Sequence, residues 1–200
     1  EVVLDNIHEI IDHIIVNLVS DYEDVRYIVG RALNDCITKM GDHILPVILP
    51  QIASTMSYSS EEERSGMCMG LAEIFTALSK RQYQEYSRII VPVLEQTLCD
   101  GSDQVRSHAA EAYAKLVRVA GTSITERLVM SLLDKIESGS EGQEEYENAT
   151  LGLKNVLTNR PRDVLDYLLP IVLVSPISLR NARILESVLN VSGKPLVYYI

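Results

Sequence analysis

The sequence has few cysteines and no long apolar run. Its 200 residues include no Trp, one Phe and three Cys. Cys36, Cys68 and Cys99 are odd in number and too far apart for a metal knuckle, so we interpret them as small buried hydrophobic residues in a reducing compartment. The most apolar stretch, residues 168–174, is short and contains Pro170. A membrane span needs roughly 20 apolar residues, so the sequence predicts none.

Motifs for catalysis are also missing. The sequence contains no G-x-x-x-x-G-K-[ST] or G-x-G-x-x-G phosphate loop and no G-x-S-x-G nucleophile elbow. His8 and His13 stand in the run HEIIDH, which resembles the HExxH of zinc proteases. Their spacing of five residues places them about 140° apart around a helix, so they cannot share a metal ion on one face. The sequence predicts no enzyme, no cofactor, no metal site and no small-molecule substrate.

The formal charge of −10 is spread unevenly along the chain. Residues 1–153 hold 12 Lys and Arg against 25 Asp and Glu, whereas residues 154–200 hold six against three. The longer part should repel a nucleic-acid backbone, and the shorter part need not. Ordinary variation on solvated helix faces is one interpretation. The other is a partner contact, for which the candidate residues are Arg160, Arg162, Arg180 and Arg183.

One short pattern recurs along the chain about every 40 residues. An Arg is followed by small or apolar residues three, six and seven positions on, beginning at Arg26, Arg64 and Arg106, with a weaker copy at Tyr146 and a fifth at Arg180. The five markers are 38, 42, 40 and 34 residues apart. Such a period is typical of HEAT and armadillo arrays, which stack helix pairs into long binding surfaces.

We therefore predict an all-α fold, an α-solenoid of HEAT repeats whose antiparallel helix pairs form a right-handed superhelix. One continuous array spans residues 1–200. The predicted repeats are 1–20 (partial), 21–57, 59–99, 102–138, 144–175 and 176–200 (partial). Because Arg26, Arg64 and Arg106 recur at one position, we assign them a structural role between repeats rather than ligand binding.

Helix signals define an A helix and a B helix in each repeat. Gly41 should end the first A helix, and Asp42 should cap the B helix after it. Ser60 to Glu63 and Ser123 to Glu126 have the form of capping boxes. Helices are also predicted at 4–19, 82–98, 103–120, 144–158 and 161–174, with a last one beginning at 175. Prolines recur inside the B helices and should bend them. Residues 138–145 read as an acidic loop, for which a docking role is the alternative interpretation.

Four segments of the sequence resemble the repeats of one protein family. They are VRYIVGRAL at 25–33, KMGDHILPVILP at 39–50, ERSGMCMGLAEI at 63–74 and LLP at 168–170. The family is the very large HEAT-repeat translational activator of the general amino-acid control pathway, and the resemblance covers roughly residues 20–200. It implies an internal piece of a cytoplasmic, ribosome-associated protein. Such a protein helps to activate the kinase of initiation factor 2 alpha without catalysis of its own.

Two functions follow. The first is a scaffold section of that activator, whose partners, through the parent protein, are the ribosome and the protein kinase. The second is a generic HEAT adaptor of the nuclear-transport or phosphatase-scaffold type that binds a protein and no RNA. An acidic solenoid of the second kind should prefer basic peptides and ignore ribosomes.

Overall fold

The computed structural model describes residues 6–20, 22–57, 59–139 and 143–174. In this part of the chain the regular structure is helical throughout, which confirms the predicted all-α class. The helices are α1 (Ile7–Leu18), α2 (Glu23–Thr55), α3 (Glu61–Ala77), α4 (Lys80–Leu98), α5 (Asp103–Ala120), α6 (Thr122–Ser138), α7 (Glu144–Asn159) and α8 (Pro161–Val174). The helix predicted to begin at residue 175 lies outside the described residues.

The helices form two parallel rows. The first half of α2, α3, α5 and α7 are the A helices, and each packs against the next. The second half of α2, α4, α6 and α8 are B helices that pack in the same order, with α1 preceding them. The core runs between the two rows. Each A helix contributes the residue seven positions after its marker, and Leu33, Leu71, Tyr113 and Leu153 are all at most 1% exposed. This is a helical solenoid; its division into repeats stays a proposal.

Helix α2 contains both helices of one repeat. Met40 has non-helical backbone angles, φ −138° and ψ 27°, so the A helix ends just before Gly41 as predicted. The predicted cap at Asp42 is different in the structure. Its carboxylate accepts hydrogen bonds from the Gln82 amide at 2.9 Å and from Arg81 at 2.6 Å. Asp42 therefore joins α2 to α4 through its side chain.

The capping box at the start of α3 is confirmed. The Ser60 amide donates to the Glu63 carboxylate at 2.8 Å, and the Glu63 amide donates to the Ser60 hydroxyl at 3.3 Å. These two bonds satisfy amides that have no partner inside the helix. Ser79 and Gln82 form a second box at the start of α4 that the sequence analysis did not identify.

The capping box predicted at Ser123 is wrong. Helix α6 begins at Thr122, and its N-cap is Gly121, which has φ 77°. That angle lies in the region that glycine adopts without steric cost, so the chain reverses from α5 into α6 without an extra loop. Ser123 is already inside the helix, and its hydroxyl donates to the Ala120 carbonyl instead.

The four prolines inside helices share one setting. Each lies in a B helix and is exposed, and the residue four positions before it is exposed too. The residue whose carbonyl loses its helical hydrogen-bond donor thus lies on the exposed face, where hydration of that carbonyl reduces the cost of a proline in a helix interior. These residues are Pro46, Pro50, Pro92 and Pro170.

No helix among the described residues has the length and apolar character needed to cross a membrane.

Candidate interaction surface

The best-defined polar contact between repeats joins α3 to the turn before α5. Arg64 donates from Nε and Nη2 to the two carboxylate oxygens of Asp100, at 2.7 and 2.9 Å. A planar guanidinium matches a carboxylate in this two-bond arrangement, which fixes orientation as well as distance. The two side chains are only 22% and 10% exposed. The pair is therefore partly buried between α3 and the turn before α5.

Asp100 is a junction for several bonds. Its carboxylate also accepts from the Ser102 amide at 2.9 Å, and its carbonyl accepts from Arg106. Burial acts to raise the pKa of this carboxyl, but the bonds from Arg64 and Ser102 outweigh burial and lower the pKa. The ionised form of Asp100 is thus the form that the folded chain stabilises.

The three marker arginines among the described residues make the same local bond. Each donates from Nη1 to a backbone carbonyl five or six residues earlier, in the turn that follows the preceding B helix. The acceptors are Ser20 for Arg26, Ser59 for Arg64 and Asp100 for Arg106. Turn carbonyls near the end of a helix lack helical donors, so a guanidinium there satisfies a group that would otherwise need water.

Arg106 is the most enclosed of the three, with 4% of its surface exposed. Besides the Asp100 carbonyl, it contacts the Asp103 carboxylate at 3.2 Å and the Asn148 side-chain oxygen at 3.5 Å. The contact with Asn148 reaches α7 in the following repeat.

Two glycines allow close packing between repeats. A Cβ atom added to Gly66 would clash with the carbonyl oxygen of Leu18, the last residue of α1. One added to Gly152 would clash with the carbonyl oxygen of Leu98, the last residue of α4. Gly66 and Gly152 therefore make the same kind of contact, although the marker spacing pairs Gly152 with Gly70.

Two salt bridges link neighbouring B helices among the described residues. Besides the Arg81–Asp42 pair at 2.6 Å, Arg127 lies 3.6 Å from Glu95. The Arg81 and Asp42 side chains are 64% and 58% exposed. Such pairs contribute little to stability because water competes for both partners.

The arginines predicted to contact a partner fall into two groups. Arg160 lies at the turn between α7 and α8 and is partly buried, with Nε 2.7 Å from a carboxylate oxygen of Asp163. Arg162, in the first turn of α8, is exposed. The structure thus places these two close together at one helix end. Arg180 and Arg183 lie outside the described residues.

The described side chains offer little for metal or thiol chemistry. Within the described ranges, no group of three or more His, Cys, Asp or Glu side chains could hold a metal ion. All three cysteines are free. Burial raises the pKa of the Cys68 thiol to about 12, so this thiol packs as a neutral hydrophobic group, as the sequence analysis predicted.

The sequence is similar to one family model and to several GCN1 proteins. Residues 62–145 match the family model of the Vacuolar 14 Fab1-binding region. The stalled ribosome sensor GCN1 of Homo sapiens is 32% identical over 183 residues, which are 92% of this chain and 7% of that protein. The eIF-2-alpha kinase activator GCN1 of Dictyostelium discoideum is 30% identical over 191 residues, 96% of this chain and 7% of that protein. For the Saccharomyces cerevisiae activator the identity is 27% over 184 residues.

Among solved structures, the designed armadillo repeat protein YIII(Dq)4CqI superposes with a TM-score of 0.43 and 17% identity, covering 90% of this chain and 80% of that one. The chain spans about 7% of the length of the curated relatives it matches. The Vacuolar 14 model matches less than half of the chain, whereas the GCN1 proteins match more than nine-tenths of it. By its sequence, the chain belongs to the GCN1 family.

Proposed function

We propose that this chain is a non-catalytic scaffold section of a cytoplasmic, ribosome-associated translational activator. The parent protein would promote activation of the kinase of initiation factor 2 alpha during amino-acid starvation. The observation that carries the proposal is the match of 92% of the chain to a stalled ribosome sensor and of 96% to an eIF-2-alpha kinase activator. The section itself would need no cofactor and no small-molecule substrate.

The scaffold role depends on the stacking of successive repeats. Arg26, Arg64 and Arg106 are the residues to which we assign this role. The bonds of Arg64 to Asp100 and of Arg106 to Asn148 span neighbouring repeats, and the turn carbonyls orient each guanidinium. Repeats joined in this way hold their surfaces at fixed spacing, which is what a section between two binding regions requires.

Ribosome contact is assigned to the basic residues near the end of the chain. Arg162 is the most accessible of the described pair, since Arg160 is held by Asp163. Both lie at the N-terminal end of α8, where the helix dipole favours an anion. Arg180 and Arg183 complete the proposed set. A ribosomal RNA phosphate could bind Arg162 directly and would compete with Asp163 for Arg160.

The full-length parent protein allows a direct test. Reversing the charge of Arg160, Arg162, Arg180 and Arg183 to Glu should reduce both ribosome association and eIF-2-alpha phosphorylation in starved cells. A matched control replaces Arg31, Arg88, Arg118 and Lys154, which are exposed and lie elsewhere. Equal effects in the two sets would refute the assignment of the contact. If deleting the whole section left kinase activation unchanged, the scaffold role would be refuted as well.

A second function, a protein-binding HEAT adaptor, is favoured by one observation. Residues 62–145 match a family whose description names binding to Fab1. This part of the chain includes α3 to α6. An adaptor would bind a purified protein partner through these helices and would not pellet with ribosomes, and this difference separates the two functions.

A further inference from the structure

One groove on the surface has not been assigned a role so far. It lies where the end of α4, the end of α6 and the start of α7 meet, and its volume is about 580 Å³. Ligand-binding clefts usually fall between roughly 300 and 1,000 Å³. The polar residues that line it are Glu95, Gln96, Lys135, Glu144, Glu145 and Asn148.

The groove is rich in carboxylates. Glu95 comes from one side, and Glu144 and Glu145 come from the other, against a single cation, Lys135. Cys99 also lines the groove. Burial raises the pKa of its thiol, and the carboxylates of Glu145 and Glu95 act in the same direction, whereas Lys135 acts to lower it. The one cation of the groove therefore lies near Cys99.

Glu144 and Glu145 are the carboxylates available to a partner. Both are exposed, and neither forms a salt bridge or hydrogen bond with the residues that the structure describes. Glu144 also approaches Gly101, where an added Cβ would lie 3.4 Å from its Oε1. By contrast, Glu95 is 25% exposed and already lies 3.6 Å from Arg127.

The side-chain amides add hydrogen-bonding capacity. Gln96 donates from Nε2 to the Met56 carbonyl at 3.4 Å, which leaves its carbonyl oxygen as an acceptor. Asn148 accepts from Arg106 through Oδ1, which leaves its two N–H groups as donors. Donors and acceptors on the two walls suit a ligand that carries both, as a peptide backbone does.

From these features we propose that the groove between α4, α6 and α7 binds a basic, extended segment of a partner protein. Charge complementarity carries this choice of partner. Lys or Arg side chains of such a segment would lie against Glu144 and Glu145, and its backbone would bond to Gln96 and Asn148. Nucleic acid is disfavoured because its phosphates would meet three carboxylates. The site is distinct from the proposed ribosome contact, since it shares no residue with the arginine set.

The chain offers a matched control for the test. Glu144 and Glu145 are the first two residues of α7, and Glu61 and Glu62 are the first two residues of α3. The two pairs have equal charge and equal helix position, but the second pair does not line the groove. Changing each pair to Gln therefore separates binding in the groove from the general acidity of the chain.

Binding would be measured by fluorescence anisotropy with the whole 200-residue chain and a labelled peptide of alternating Lys and Arg. A peptide of alternating Lys and Glu is the control for peptide charge. Glu144→Gln with Glu145→Gln should weaken binding about five- to tenfold, and Glu61→Gln with Glu62→Gln less than about twofold. Lys135→Gln should strengthen binding, because it removes a like charge from the groove.

Three results would overturn the proposal. They are no binding of the Lys–Arg peptide by the unmodified chain, equal weakening by the two Gln pairs, and weaker binding by Lys135→Gln. Circular dichroism melts of each variant distinguish loss of the groove from loss of the fold. Because ribosomes are absent from the assay, its failure leaves the ribosome proposal untouched, and failure of that proposal leaves this one standing.

Discussion

Gly152 in α7 packs directly against the backbone carbonyl of Leu98, the last residue of α4. A side chain can rotate away from an added methyl group, but a helix-terminal carbonyl is fixed by its own backbone. Gly152→Ala should therefore destabilise the chain by roughly 1–3 kcal/mol, the usual cost of overpacking. Helix propensity alone would favour Ala by about 1 kcal/mol. The free energy of unfolding from urea denaturation gives the sign.

Gly101→Ala is the control for this substitution. The nearest atom to its added Cβ is Glu144 Oε1 at 3.4 Å, an ordinary contact at the end of a flexible side chain. The expected change is within about 0.5 kcal/mol. Stabilisation by Gly152→Ala would show that the two repeats do not approach each other as closely as the structure indicates.

Replacing Arg64 tests the polar junction between repeats. Arg64→Ala removes two bonds to Asp100 and one to the Ser59 carbonyl, and it leaves a carboxylate that is 10% exposed without its counter-charge. We expect a loss of about 2 kcal/mol in the free energy of unfolding. This value lies between those of exposed and fully buried pairs. Arg64→Lys should recover less than half of it, because an ammonium group cannot make the two-bond contact.

Arg81→Ala is the matched comparison. Its pair with Asp42 has an equally short distance, 2.6 Å, but the side chains are 64% and 58% exposed. The expected loss is below about 1 kcal/mol. Equal losses at Arg64 and Arg81 in the same denaturation experiment would contradict the conclusion that burial strengthens the Arg64–Asp100 pair.

The free energy of unfolding should depend on pH in the acidic range because of Asp100. The pKa of this carboxyl is lower in the folded chain than its ordinary value of 3.8. A lowered folded pKa contributes stability that is complete above the ordinary value and is lost as the pH falls through the folded value. The free energy of unfolding should therefore decrease below about pH 4. In Asp100→Asn this decrease should be smaller, although stability at neutral pH is lower; an unchanged acid dependence would contradict the interpretation.

Replacing Leu71, seven residues after the marker Arg64, tests the contribution of the core to stability. Leu71 is 1% exposed, and Leu71→Ala should cost roughly 2–5 kcal/mol because it leaves a cavity. Leu151 is 38% exposed, so Leu151→Ala should cost less than about 1 kcal/mol. Equilibrium urea melts of both variants make the comparison. A loss under about 1 kcal/mol at Leu71 would mean that the register of α3 is different.

Much of the fold could be predicted from the period and from helix-end signals. The bounds of α5 were predicted without error, because Asp103 follows an N-cap serine and Gly121 allows the chain to turn sharply. The core positions of the A helices followed from the marker spacing. The prediction of a capping box at Ser123 was wrong because Gly121, two residues earlier, is the N-cap of α6. A local sequence pattern does not show which of two nearby residues occupies the cap.

The contacts between repeats could not be predicted in the same way. Asp42 carries the signal of a helix cap, yet its bonds go to Arg81 and Gln82, which are 39 and 40 residues away. Likewise, the position of Gly152 opposite the Leu98 carbonyl results from packing between α4 and α7, which lie far apart in the sequence. Such choices are decided by packing between elements, and a single sequence carries no direct record of them.

The most direct test of the central claim is co-sedimentation of the chain with purified ribosomes across a salt series. The account predicts binding at low salt that weakens steeply as salt rises, because contacts between arginine and phosphate release counterions. Arg160→Glu with Arg162→Glu should reduce the amount pelleted. Arg88→Glu with Arg118→Glu, an equal charge change at exposed residues elsewhere, should reduce it much less. Absence of pelleting at low salt, or pelleting that salt does not change, would contradict a direct ribosome contact by this section.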